Sequence, residues 1–155
     1  MTSRRDQIKM TEAEVEAFLT EQRTLNVATI GPTGHPHLVA MWFVLHDGSP
    51  AFWTFAKSQK VVNLRRDARI SALVESGETY SELRGVEVVG TGRVIDDYDE
   101  VLAIGTAVAL KYTGPTALSD DALPFIEAQA TKRVGIVIDV ERTVSWDHTK
   151  LAGGY

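Results

Sequence analysis

The segment that decides the fold covers residues 25–56 and has the sequence LNVATIGPTGHPHLVAMWFVLHDGSPAFWTFA. It contains short runs rich in β-branched and aromatic residues, at 25–31, 37–46 and 51–56, with turn residues between them. Asp47-Gly48 is a strong hairpin signal, because both central residues of a type I′ turn need a positive φ. The segment therefore predicts three antiparallel strands that follow one another as a meander.

On either side of this segment the sequence predicts further strands and several helices. Thr11 and Glu14 match a capping box in front of a helical apolar pattern. Helices are predicted over 11–23, 58–67, 97–112 and 119–132, and strands over 69–75, 85–95 and 133–139. Gly90 and Gly92 predict a bulge or a close backbone approach. Because the strands do not alternate with helices as βαβ units, we predict a mainly β fold, a six-stranded antiparallel barrel with peripheral helices.

Length and composition favour one soluble domain. The chain has 155 residues, which is enough to bury a core without cross-links, and no internal repeat or long linker divides it. We therefore expect a single domain over 1–155, with 11–150 as its core and 1–10 flexible. The sequence contains no cysteine, which excludes thiolate-held zinc, iron–sulfur clusters and thiol catalysis.

The charge balance and the apolar runs limit the classes of partner. The formal net charge is −5, which argues against a general nucleic-acid binder. No apolar run approaches the roughly 20 residues of a membrane span, so no integral membrane association is expected. The first ten residues are followed by no apolar segment, so a secretory signal is not expected and we predict a cytoplasmic protein.

A basic segment, 57–69, stands out against this acidic background. It carries five cations and one anion, and Lys57 and Lys60 lie at the start of the predicted helix. Cations are disfavoured there unless an anion lies between them, and basic side chains together with free amides form a phosphate site. The same pattern also suits a solvated basic turn in which Arg65 and Arg66 simply favour the C-terminal end of the helix.

The histidines and tryptophans give weaker signals. His35 and His37 share one face of a strand, but no nearby carboxylate completes a ligand set, so no metal site is predicted. We expect Trp53 in the core and Trp42 on a strand whose two faces would both be covered if the sheet closes as a barrel or dimerises. Trp146 is expected in a polar tail after the last strand, where the same subunit, a partner or a ligand ring must cover it.

Taken in order, five motifs resemble a known family. They are L-N-V-A-T-I-G at 25–31, G-H-P-H at 34–37, M-W-F at 41–43, K-x-x-K-x-x-N-L-R-R-D at 57–67 and L-R-G-V at 83–86. The series resembles the pyridoxamine 5′-phosphate oxidase-like split β-barrel proteins over residues 11–150. It is most similar to the branch of small actinobacterial oxidoreductases that use the deazaflavin coenzyme F420.

The resemblance implies a homodimer with two flavin-type cofactors in clefts between the subunits. It implies that the cofactor phosphate is held by Thr54, Lys57, Ser58 and Lys60, and that the ring lies beside His37, Val39, Ala40, Met41 and Trp42. Arg65, with Arg66, would extend the positive potential toward the polyglutamyl tail of the deazaflavin. Late in the chain Arg133, Arg142 and Lys150 do not match the basic pattern with which the FMN oxidases of this family hold pyridoxamine phosphate.

The function implied is hydride transfer from reduced F420 to a conjugated or quinone-like small molecule. The proton that follows the hydride could come from solvent, His37 or His148, and the sequence does not choose among them. Two alternatives stay open: an FMN-binding oxidoreductase or oxidase of the same fold, and a protein that binds flavin or deazaflavin without turnover.

Overall fold

The computed structural model describes residues 3–151, which form one curled, fully antiparallel sheet with helices around it. The helices are α1 (Arg4–Ile8), α2 (Glu12–Glu21), α3 (Gln59–Arg66), α4 (Tyr98–Thr113) and α5 (Leu123–Ala130). The strands are β1 (Leu25–Ile30), β2 (Pro36–Met41), β3 (Val44–His46), β4 (Ser49–Phe55), β5 (Arg69–Ser76), β6 (Arg84–Ile95) and β7 (Arg133–Asp147). Short 3₁₀ turns cover Tyr80–Glu82, Pro115–Leu118 and His148–Lys150. The expected mainly β barrel with peripheral helices is confirmed.

The expected meander and the strand count of six are wrong. The predicted strand 37–46 is two strands, and β2 and β3 lie at opposite edges of the sheet, whose order is β2-β1-β5-β6-β7-β4-β3. Only Trp42 and Phe43 join these edges, and two residues span less than about 10 Å. The sheet must therefore curl until its two edges meet, which makes it a split barrel.

A tyrosine explains why the strand breaks at Phe43. The Phe43 side chain is fully buried, and its N–H donates to the Tyr112 hydroxyl at 3.0 Å instead of to a neighbouring strand. The same hydroxyl donates to the carbonyl of Arg23 at 2.7 Å. A side chain of α4 thus satisfies the backbone N–H of Phe43, which a continuous strand would have paired.

The local turn and bulge signals are confirmed. Asp47 and Gly48 have φ of 50° and 80° and join β3 to β4. The register of β6 against β7 shifts between Val89 and Gly90, which is the bulge expected in this strand. At Gly90 a Cβ would come 2.1 Å from the carbonyl oxygen of Asp139, so the close backbone approach requires glycine.

The last strand is longer than expected. It continues past 139 to Asp147 and stays paired with β6, whose other edge pairs with β5. Trp146 therefore lies within β7 and not in a polar tail, and its ring packs on Gly85, where a Cβ would come within 2.0 Å of it. The same subunit covers this tryptophan.

Two apolar clusters lie on opposite faces of the sheet. The first fills the barrel, with alternate residues of β1, such as Leu25 and Val27, and Phe52 of β4. The second lies between the outer face of β4 and β7 and helix α4, and contains Ile104 and Val137. No helix within residues 3–151 is long and apolar enough to cross a bilayer. The one-turn helix α1 lies in the segment expected to be flexible.

Candidate functional site

The junction of β4 and α3 brings together three of the predicted phosphate ligands. The ammonium of Lys60 donates to the Thr54 hydroxyl at 3.0 Å, and the Ser58 hydroxyl lies 3.3 Å from the same oxygen. Ser58 occupies the N-cap of α3 without using its side chain to cap the helix. We call Thr54, Ser58 and Lys60 the hydroxyl–lysine cluster. It combines a cation, two hydroxyls and a helix N-terminus, which together suit an anion.

Lys60 is charged and buried, with only 9% of its surface exposed. Burial lowers the pKa of its ammonium, and the positive charge of Arg133 lowers the pKa further. Among the described residues no carboxylate forms an ion pair with Lys60. A buried cation without a counter-charge is costly, so an arriving anion would be favoured.

Polar contacts under α3 hold this helix against the barrel. The amide of Asn63 donates to the Thr29 hydroxyl at 3.0 Å, and both residues are buried. The side-chain amide of Gln59 donates to the side-chain Oδ1 of Asn63 at 2.8 Å. These contacts fix the helix start, and with it Lys60, relative to β1.

The remaining predicted basic ligands lie elsewhere on α3. Lys57 is exposed just before the helix. Arg65 forms an ion pair with Asp96 at 2.8 Å, and the two residues share no hydrogen bond with the hydroxyl–lysine cluster. Arg66 donates to the carbonyl of Ile30. The structure thus brings Lys60, Thr54 and Ser58 together and keeps Arg65 apart from them.

The predicted ring-contacting residues of β2 are divided between two sides of the strand. His37, Val39 and Met41 are in register with Thr29, Val27 and Leu25 and so face the barrel interior, whereas Ala40 faces outward. Within residues 3–151 the buried Nδ1 of His37 has no hydrogen-bond partner.

A cavity of about 710 Å³ opens beside the far end of this strand. It lies between the outer face of the sheet, α4, the Pro115–Leu118 turn and α5, and its size is typical of a small-molecule site. Ala40, Met41 and Trp42 form one wall, and Trp53 forms another. The part of the lining that residues 3–151 supply is mostly apolar and contains no carboxylate.

Arg133 lies at one end of this cavity, and sequence reasoning did not select it. Its guanidinium lies 4.7 Å from the ring centre of Trp53 and 4.3 Å from that of Phe55. It is the first residue of β7 and pairs with Phe55, so it becomes a neighbour of β4 only through the sheet topology. No local sequence pattern could have located it.

An aromatic stack includes Trp42 of this cavity wall. The rings of Trp42 and Tyr112 are parallel to within 11° and 4.4 Å apart, and the Arg23 guanidinium lies 4.7 Å from the Tyr112 ring centre. Trp42 is exposed on its outer side, so its expected coverage on both faces is absent in the single subunit. Among the described residues no group of three or more metal-ligating side chains lies close enough to hold a metal ion.

Comparisons with known proteins agree with this architecture. A solved conserved hypothetical protein from Mycobacterium tuberculosis is 44% identical, with a TM-score of 0.90 over 99% of this chain and 98% of the other. A solved F420 reductase is 26% identical, with a TM-score of 0.65 over 83% of this chain and 94% of the other. A heme binding protein from Mycobacterium smegmatis, 16% identical with a TM-score of 0.62 over 92% of this chain and 60% of the other, shares the fold.

The search of curated proteins gave no match. The family model described as pyridoxamine 5′-phosphate oxidase matches residues 11–147. This range contains nearly all of the barrel and its helices. With its split barrel and the donor-rich junction after β4, the chain belongs to the pyridoxamine 5′-phosphate oxidase family.

Proposed function

We propose that this protein is an oxidoreductase that transfers a hydride from reduced coenzyme F420 to a conjugated or quinone-like small molecule. The observation that carries the proposal is the buried hydroxyl–lysine cluster, with which no carboxylate of the described residues pairs. This donor set suits the phosphate of a flavin-type coenzyme, and the apolar cavity on the outer face of the sheet suits a planar ring. The F420 reductase among the solved structures supports the choice of coenzyme.

The donor set fits the phosphate of such a coenzyme. Lys60 supplies an unneutralised ammonium, and Thr54 and Ser58 supply hydroxyl donors within 3.3 Å of one another. Hydrogen bonds between charged groups are about twice as strong as neutral ones. Lys57, exposed at the same junction, would meet the outer side of the phosphate.

The walls of the cavity would hold the ring and its acceptor. In this proposal Ala40, Met41 and Trp42 lie along the ring, with His37 and Val39 behind them on the inner side of the strand. When bound, the reduced coenzyme would supply a hydride with its two electrons to the acceptor, which would also take a proton from solvent, His37 or His148. The protein's contribution is to orient the two partners and to exclude water with Trp53 and α4.

A homodimer is part of the proposal. Leu38, Trp42 and Phe125 are 69%, 60% and 66% exposed, and Phe55 is also exposed. Large apolar side chains in this number suit a covered surface. A second subunit across this face would also enclose the cofactor cleft.

Titration of the purified protein with F420 and with FMN tests the coenzyme. Because F420 carries a polyglutamyl tail beyond its phosphate, Lys57 and Arg66 would add attraction that FMN cannot use, although Asp96 already neutralises Arg65. We expect F420 to bind at least tenfold tighter, about 1.4 kcal/mol, with the preference shrinking as salt rises. Equal or tighter binding of FMN would reject the deazaflavin assignment in favour of an FMN protein of the same fold.

A turnover assay separates the enzyme from a storage protein. The assay monitors the absorbance of the coenzyme while a quinone such as menadione oxidises reduced F420. This oxidation should be faster with the protein than without it. Tight binding of F420 with no acceleration by any quinone or conjugated enone would favour non-catalytic binding.

A further inference from the structure

Arg133 has hydrogen-bonding capacity that the fold does not use. Its guanidinium lies 4.7 Å from the Trp53 ring centre and 4.3 Å from the Phe55 ring centre, and one terminal nitrogen donates to the Gln129 side-chain oxygen at 3.5 Å. The contacts with the rings use no N–H group, so the other in-plane N–H groups of the guanidinium are left without an acceptor among the described residues. Within residues 3–151 its buried Nε has no hydrogen-bond partner.

The charge of Arg133 is also unbalanced. No carboxylate of the described residues pairs with it, and burial lowers the pKa of its guanidinium without discharging it. Arg133 is thus a partly desolvated cation that, within the described part of the chain, has no counter-charge and has an N–H group without an acceptor. This arrangement is expected where an anionic ligand completes the site.

Arg133 and the hydroxyl–lysine cluster belong to opposite faces of the sheet. Arg133 pairs with Phe55, and Gly135 pairs with Trp53, so these residues share the outer face. Thr54 pairs with Val134, whose side chain is buried in the barrel. The two cations can therefore serve two different anionic groups.

The cavity beside Arg133 defines the rest of the ligand. Arg133 is the one charged residue in its described lining, whose other members are mainly small, aliphatic or aromatic. Trp53 and Trp42 present aromatic surfaces to the space, which favours a flat ring system. The ligand that matches this lining is apolar, planar and singly anionic.

We propose that the acceptor of the function proposed above is a planar conjugated molecule with a carboxylate that pairs with Arg133. A carboxylate matches the flat guanidinium fork, which can donate two parallel hydrogen bonds to it. The ring system lies in the cavity along Trp53, where α4 shields it from water. Arg133 thereby determines specificity for acidic acceptors.

The test uses two probes of the same shape, anthracene-2-carboxylate and anthracene-2-carboxamide, titrated into the full chain without any coenzyme. We expect the carboxylate to bind at least tenfold tighter than the amide. Arg133→Met should abolish this preference. Arg142→Met, which removes an exposed arginine of the same strand outside the cavity lining, should retain it.

Equal binding of the two probes by the unaltered protein would overturn the inference whether or not Arg133→Met folds. An unchanged preference in a folded Arg133→Met variant would overturn it as well. Because the titrations contain no coenzyme, their result is independent of the F420 assignment. Selective carboxylate binding together with no F420 binding would support the acidic-ligand site and reject the proposed hydride transfer.

Discussion

In the proposed function, Lys60 is placed for a ligand at the expense of the stability of the fold. Its ammonium is buried, its hydrogen-bond partner is the Thr54 hydroxyl, and Arg133 repels it. A stability-optimised site would carry an apolar side chain or a carboxylate partner there. The retained cation is what we expect of a binding residue.

Lys60→Met should weaken F420 binding by about 1.5–3 kcal/mol, the range for a hydrogen bond to a charged group. It should leave thermal stability of the ligand-free protein unchanged or higher, because methionine removes an uncompensated buried charge. Fluorescence titration and thermal unfolding measure the two effects. Arg69→Met is the control, since Arg69 is exposed and paired with Asp67 at 2.6 Å. F420 affinity within twofold of the unaltered protein would refute the phosphate assignment.

Lys111 makes a second residue-scale prediction, about pH. Burial lowers the pKa of its ammonium to about 8, and Arg23 contributes to the lowering. The unfolded chain, with an ordinary lysine pKa near 10.4, holds the proton longer as pH rises. The contribution of Lys111 to the free energy of unfolding therefore rises between about pH 8 and 10.4, as the folded protein loses the cost of its buried charge.

Lys111→Met should remove that increase. Urea unfolding at pH 7 and at pH 9.5 gives the free energy of unfolding of both proteins. The value for the variant minus that for the unaltered protein should be more positive at pH 7 than at pH 9.5. The comparison between two pH values cancels the loss of the contact from Lys111 to the Leu19 carbonyl, 3.4 Å away. A difference that does not vary with pH would show that Lys111 keeps an ordinary pKa.

Helix α4 has two structural roles. It forms a wall of the cavity, and it fixes the bend between β2 and β3 through a hydrogen bond. Gly105 allows the first role: a Cβ there would come 2.4 Å from the Trp53 ring, so glycine lets this tryptophan pack flat against the helix. Tyr112 performs the second role through the backbone of Phe43 and Arg23. The bend and the cavity wall therefore depend on one helix.

Tyr112→Phe should lower the free energy of unfolding by about 1–3 kcal/mol, because buried backbone groups lose their partner. Tyr98→Phe is the matched control. Its exposed hydroxyl donates to the Glu127 carbonyl at 3.3 Å and should contribute far less. Urea unfolding of both variants checks the prediction, which fails if the two losses are equal.

At the scale of the whole molecule, the subunit presents an outer face of β2 that ends in exposed apolar side chains. We expect a homodimer with an interface of roughly 2,000 Å² or more in total. Light scattering at micromolar concentration should give about twice the 17.0 kDa chain mass. Leu38→Glu should shift the protein toward monomer, since it places a charge on the proposed interface. A 17.0 kDa species for the unaltered protein would contradict the dimer.

Local signals in the sequence determined most of the elements and singled out Lys60 in the candidate site. Thr11 capped the predicted helix, Asp47-Gly48 made the predicted hairpin, and Gly90 lay at the predicted bulge. Lys60 stood out because a cation at a helix start is locally anomalous. Such features are decided within a few residues of chain, by backbone sterics and by side chains that meet neighbouring backbone groups.

Tertiary structure alone decided which edges meet and which residues share the cavity. The break at Phe43 depends on a hydroxyl 69 residues away, and Arg133 reaches Trp53 only because β7 pairs with β4. A strand's sequence records which of its faces is buried but not which strand lies beside it. Contacts across such distances therefore arise from the closure of the whole sheet.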